Sequence, residues 1–130
     1  MIIRAATTND AEAIARVHVS AWQHNYSGIV DERYLAALDP AERRQVWLEQ
    51  LSGAPRDSSI ILVAEDPSGG ACGFATGGAA RRDADADAEL YAIYLTPSRQ
   101  RCGIGRLLCR ELGTTLFAAG FHSLVVWVLA

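Results

Sequence analysis

Lysine is absent from the chain, and all 12 basic residues are arginine. That excludes Schiff-base chemistry on a lysine and the lysine of a Walker A phosphate loop. Cysteine is scarce: Cys72, Cys102 and Cys109 are an odd number without CxxC spacing, and His18, His24 and His122 are scattered. Neither a disulfide framework nor a metal cluster is expected from them. No apolar run approaches the roughly 18 residues of a membrane span. Nor does the chain open with a basic stretch, an apolar core and a cleavage site in that order, so a cytoplasmic location without membrane partners is the expectation. Against 15 acidic residues the 12 arginines leave a net charge of −3, which removes the phosphate neutralisation on which general nucleic-acid binding rests.

What is present is enough apolar sequence for one domain. With 130 residues, 50% hydrophobic and 21% charged, the chain can bury a continuous core but not two.

The pattern along the chain alternates strands and helices. Residues 2–6 suit a short first strand, and Thr8, Asn9 and Asp10 supply capping side chains for a helix over about 10–24. Ala11, Ile14, Ala15, His18, Ala21 and Trp22 recur on its inner face, with Glu12 and Arg16 paired outside. Gly28 breaks the pattern, a short helical piece covers 31–38, and Pro40 opens a helix carrying Val46, Trp47 and Leu51. Residues 59–65 and 71–77 form an antiparallel hairpin about the turn 66–70. The acidic linker 81–87 has little to bury and should be a mobile loop. Residues 89–95 form a strand ended by Thr96, Pro97 and Ser98. From Gly103 to about Gly120 a helix carries Ile104, Leu107, Leu108, Leu112 and Leu116 on one face. Residues 124–129 are an unbroken apolar run, expected as a strand covered on both sides and parallel to 89–95 across the helix, a βαβ unit.

The informative stretch is Gln100-Arg101-Cys102-Gly103-Ile104-Gly105-Arg106, between a strand end and the first turn of a helix. Two glycines allow close backbone approach, and the first N–H groups of a helix lack internal partners and carry partial positive charge. A diphosphate suits such a turn. Arg99, Arg101, Arg106 and Arg110, opposed only by Glu111, concentrate positive charge around it; an ordinary glycine connection with a solvated arginine face has the same composition. A dinucleotide fingerprint is excluded twice, because Leu108 stands where its third glycine belongs and Leu129 and Ala130 stand where its acidic residue belongs.

Gln100, Gly103 and Gly105 match the pattern (Gln or Arg)-x-x-Gly-x-(Gly or Ala), preceded by a strand ending Tyr94-Leu95-Thr96-Pro97. In that motif and in the order of its elements the chain resembles the GNAT (GCN5-related N-acetyltransferase) superfamily over its whole length. The resemblance implies an α/β fold with a mixed central sheet flanked by helices and a βαβ acyl-CoA-binding unit. It also implies acetyl-CoA as co-substrate, without a metal. The pyrophosphate would lie on the backbone N–H groups of Arg101, Cys102, Gly103, Ile104, Gly105 and Arg106. The main chain of Ile93, Tyr94 and Leu95 would hold the pantetheine arm, and an N–H near Leu95 would face the thioester oxyanion.

Transfer to an amine needs a base, since freeing the lone pair of an alkylammonium at neutral pH costs about 4 to 5 kcal/mol. Glu89 lies six residues before Leu95, where some family members carry a catalytic Glu, and strand alternation puts it on one face with Tyr91, Ile93 and Leu95. A solvated carboxylate is a weak base, so burial or relay through water has to assist; the same position also suits a plain strand-end carboxylate. His24 and Tyr26, at the junction of the first two helices, are candidate contacts for a small-molecule or peptide amine, whereas Trp22 reads as core. Asp83, Asp85 and Asp87 could attract a cationic amine or simply be solvated. Cys102, inside the phosphate turn, reads as a spacer, which favours direct transfer in a ternary complex.

Family members continue past residues 124–129 into a further helix, which carries their Tyr general acid, and two more strands. Tyr26, Tyr34, Tyr91 and Tyr94 all precede that position. The expectation is therefore either a fragment or a homodimer in which a second copy completes the sheet at its terminal edge. A non-catalytic acyl-CoA sensor is the alternative to an enzyme, and a purely structural fragment is a further one.

Overall fold

The computed structural model describes residues 1–52, 59–80 and 86–126. Five strands form one sheet in the order β1 (Ile2–Ala5), β2 (Ile60–Glu65), β3 (Ala71–Ala79), β4 (Ala88–Leu95) and β5 (Leu124–Val126). The first four are antiparallel neighbours, and β5 runs parallel to β4. Helices α1 (Ala11–Asn25), α2 (Glu32–Ala36), α3 (Pro40–Ser52) and α4 (Ile104–Ala118) complete the fold.

Strand alternation divides the core in two. Leu62, Ala64, Ala75 and Leu90 face α4, while Val63 and Phe74 face the α1 and α3 side with Ile14, Ala15 and Trp47. On α4 the i, i+4 series Ile104, Leu108, Leu112 and Leu116 is buried throughout, as its spacing requires. Gly120, at φ 104°, ends the helix: its N–H reaches Phe117 O and the Phe121 N–H reaches Leu116 O, a Schellman arrangement. Glu12 and Arg16 pair at 2.8 Å on the exposed side of α1.

Several expectations are corrected. Asp10 does not cap α1 by its side chain. It receives the Thr7 N–H at 2.7 Å and both terminal nitrogens of Arg4 at 2.8 Å, so it ties β1 to the helix entrance. In β5, Leu124 and Val126 are 39% and 49% exposed, so the described part of that run is not covered on both sides. Residues 127–130, and with them the rest of the run, lie outside the described residues, as do 81–85 of the acidic linker. Asp87 does not wait for a cation: it accepts from the N–H groups of His122 and Ser123 and from the Ser123 hydroxyl, fixing the start of β5. Those N–H donors, His122 first, push its carboxyl down to about 2.

Candidate functional site

The face assigned to Glu89 is overturned by a bulge. Thr76 pairs with Ala92 and Gly77 with Leu90, so Tyr91 is an extra residue in β4. One extra residue reverses the alternation beyond it. Ala88 and Leu90 before the bulge therefore share the α4 side with Ile93 and Leu95 after it, and Glu89 turns to the opposite side, the one that holds Tyr94. Glu89 is 2% exposed, which removes the solvated strand-end alternative. It lies between Gly78 of β3 and Val125 of β5, at the stretch where β4 has strands on both sides.

Past Leu90 that changes. Among the described residues β5 pairs only with Ala88, Glu89 and Leu90, and no described strand flanks Ile93 to Leu95 on that side. The Thr96 N–H bonds Cys72 O of the neighbouring chain segment at 2.9 Å. In an antiparallel ladder alternate residues point their N–H groups to opposite sides, so the Tyr94 N–H also turns to β3 and those of Ile93 and Leu95 turn outward. Of the three main-chain candidates, Ile93 and Leu95 thus offer donors at the open edge, and Tyr94 contributes its side chain elsewhere.

The glycine turn follows directly. Gly103 has φ 83°, a left-handed conformation that strains any residue with a Cβ, and the space around its missing Cβ is open. The first α4 bond runs from the Leu107 N–H to Gly103 O, so the N–H groups of Ile104, Gly105 and Arg106 have no helical partner. At Gly105 a Cβ would sit 3.7 Å from Leu95 Cδ1 and 3.9 Å from Ile93 Cδ1, so the turn packs directly on the open stretch of β4. Arg101 is itself left-handed, at φ 62°. Arg101, Cys102 and Arg106 are exposed, whereas the Ile104 side chain belongs to the core. A diphosphate and an extended amide chain fit these donors: partly positive N–H groups at the helix start, and outward N–H groups along the adjoining strand. Arg99 is not part of that positive field, because it pairs with Asp66 in the β2–β3 turn.

The Gln100 side chain points away from the turn. Its Nε2 donates to Asn25 Oδ1 at the end of α1, 3.1 Å away. The same turn of α1 carries Trp22, whose ring lies 4.6 Å from Tyr26 and whose Nε1 donates to the Tyr94 hydroxyl at 2.9 Å. Trp22 is therefore half-buried and polar-bonded rather than pure core. Burial raises the Tyr94 phenol above its usual range, partly opposed by the Trp22 bond. His18 stacks on Tyr94 at 5.1 Å and accepts from Trp47 Nε1 at 3.3 Å, and burial, then Arg43, pushes it down to about 4. His24 is exposed and Tyr26 half-buried, both beside the Asn25 tether.

Sequence reasoning missed Asn25, and missed the polar roles of Trp22 and Tyr94. Helical spacing does put His18 and Trp22 on one stripe, but nothing in the spacing indicates a partner 72 positions away. Among the described residues no group of three or more His, Cys, Asp or Glu is arranged to hold a metal, and no helix is long and apolar enough to cross a membrane.

Comparison with known proteins bears on the family and the fold. The model of the acetyltransferase (GNAT) family matches residues 14–130. An N-acetyltransferase of Bacillus subtilis strain 168, YuaI, described as uncharacterized, is 38% identical over 128 residues, which are 98% of this chain and 70% of that one. The PaiA N-acetyltransferase of Thermoplasma acidophilum, solved with coenzyme A, superposes with a TM-score of 0.79 at 25% identity, covering 98% of this chain and 78% of that one. A GNAT acetyltransferase of Brucella melitensis, solved with acetyl-CoA, shares the fold at TM-score 0.67 and 24% identity, over 99% and 76% of the two chains. The chain belongs to the GNAT family and is by class an acetyl-CoA-dependent acetyltransferase.

Proposed function

We propose that the protein moves an acetyl group from acetyl-CoA to a primary amine of a small molecule or peptide, by direct transfer with both substrates bound. The observation that carries this reading is the run of main-chain donors without a partner among the described residues, from the outward N–H groups of Ile93 and Leu95 to those of Ile104, Gly105 and Arg106. Bound acetyl-CoA supplies the acetyl group as a thioester.

The residues divide the work. The N–H groups at the start of α4, with Arg101, Cys102, Gly103 and Arg106 around them, hold the pyrophosphate. The outward N–H groups of Ile93 and Leu95 orient the pantetheine amides, and the Leu95 N–H faces the carbonyl oxygen where negative charge develops. Glu89 takes the proton of the incoming ammonium, directly or through a water, so that the nitrogen lone pair is free to attack. Tyr26 and His24 border the acceptor, on the wall made by the last turn of α1. A second copy paired along β5 is part of the proposal, supported by the exposure of Leu124, Val126 and Phe117 and tested by sedimentation across a concentration series.

Calorimetric titration with coenzyme A, followed by thiol release from acetyl-CoA over a panel of primary amines, tests the reading. Binding together with amine-dependent thiol release is the expected result. Binding without release leaves a sensor, and absence of binding removes the site.

A further inference from the structure

The last turn of α1 is tethered to both elements that the cofactor reading uses. Trp22 Nε1 donates to Tyr94 on β4 at 2.9 Å, and Asn25 Oδ1 accepts from Gln100 at the head of the glycine turn at 3.1 Å. Tyr94 is a firm anchor: its ring is stacked on His18, and its main chain is paired with Phe74 of β3. The intervening residue Gln23 bonds Leu35 O of α2 at 2.9 Å, and Tyr26 packs on the Trp22 ring. One helical turn thus touches β4, the glycine turn and α2 through three different side chains.

We propose that this turn is a positioning latch, in which the Trp22–Tyr94 and Asn25–Gln100 hydrogen bonds couple the seating of coenzyme A to the placement of the acceptor wall at Tyr26. The inference rests on the cofactor reading above. Gln100 then acts through Asn25 rather than on phosphate, and Trp22, Asn25 and Tyr94 are positioning residues that touch no reacting atom. A ligand that immobilises the turn and β4 suppresses opening of whatever both of them hold, so occupancy of one site is felt at the other.

Hydrogen exchange with coenzyme A as the probe reads this without any acceptor. In the wild type, coenzyme A slows exchange both in the glycine turn and in the last turn of α1. In Asn25→Ala, in Trp22→Phe and in Tyr94→Phe the protection stays in the glycine turn and is lost from α1, while coenzyme A affinity falls by about two- to fivefold, the scale of one hydrogen bond. The Trp22→Phe/Tyr94→Phe double variant loses less than the sum of the two single ones, because both remove the same bond. Asn25 is exposed, so its variant keeps the test open should a change at Trp22 impair folding. Protection of α1 that survives in all three single variants, or that never extends beyond the glycine turn in the wild type, overturns the latch and leaves the cofactor site standing. No protection and no heat of binding in the wild type overturns both.

Discussion

The indole nitrogen of Trp22 donates to the phenolic oxygen of Tyr94 across 72 positions of sequence. The bond joins the first long helix to the strand that ends at the glycine turn, and it exists because the bulge at Tyr91 turns Tyr94 toward α1 rather than α4. The same bulge turns Glu89 to the side of the sheet that holds Tyr94 and α1.

Glu89→Gln keeps the shape of the buried side chain and removes its basicity. Turnover is expected to fall by about 10²–10⁴-fold, the range of general base catalysis. Coenzyme A affinity should stay at the wild-type value, since Glu89 lies at the start of β4 and the proposed pyrophosphate donors lie at the start of α4, beyond the far end of that strand. Thiol-release kinetics and calorimetry on one preparation check both halves, and wild-type turnover would remove Glu89 from the reaction.

Gly103→Ala forces a Cβ into a left-handed backbone at the start of α4. A stability loss of about 1–2 kcal/mol is expected from that conformation, with weaker coenzyme A binding because the N–H groups of the first turn move with it. Urea denaturation and calorimetric titration measure the two effects. A stable variant that binds normally would show that the turn does not require this geometry.

Gly77→Ala tests the packing opposite the bulge. A Cβ there would sit 2.9 Å from the main-chain oxygen of Glu89 and 3.0 Å from Leu112 Cδ2, and a ladder oxygen cannot step aside. A cost of about 1–3 kcal/mol is expected, as for other overpacked sites. Gly70→Ala, with nothing within 4 Å and an ordinary φ, should be close to neutral by the same denaturation assay.

The acid limb of the stability curve should have two parts. His18 is held down to about 4 from an ordinary 6.5, so the unfolded chain takes up its proton first. Its contribution is fully present above about 6.5 and is lost as pH falls toward 4. Asp87, lowered to about 2 from 3.8, contributes above 3.8 and loses that contribution as pH falls toward 2. His18→Phe should flatten the upper part and Asp87→Asn the lower one, measured as urea midpoints at successive pH values.

Much of this molecule could be read from local patterns. The leucine stripe of α4, the hairpin turn at 66–70, the Glu12–Arg16 pair and the Gln100, Gly103, Gly105 turn each depend on residues within a few positions of one another, and each is found where the spacing puts it. The place of Glu89 in a strand was legible, but not the face to which it turns. A bulge inserts one residue without altering local composition, so simple alternation carried Glu89 to the wrong side of the sheet.

The chain's own order of residues settled the class of fold and the place of the glycine turn, because helix starts, glycine conformations and hydrophobic periods are short-range effects. Which donors remain at the open edge of β4, what Gln100 and Asp87 bond, and how Trp22 meets Tyr94 were decided only when distant segments packed together. Hydrogen-bond partners depend on atomic positions to within tenths of an ångström, and those positions are set by the sheet register and the bulge rather than by any neighbour in sequence.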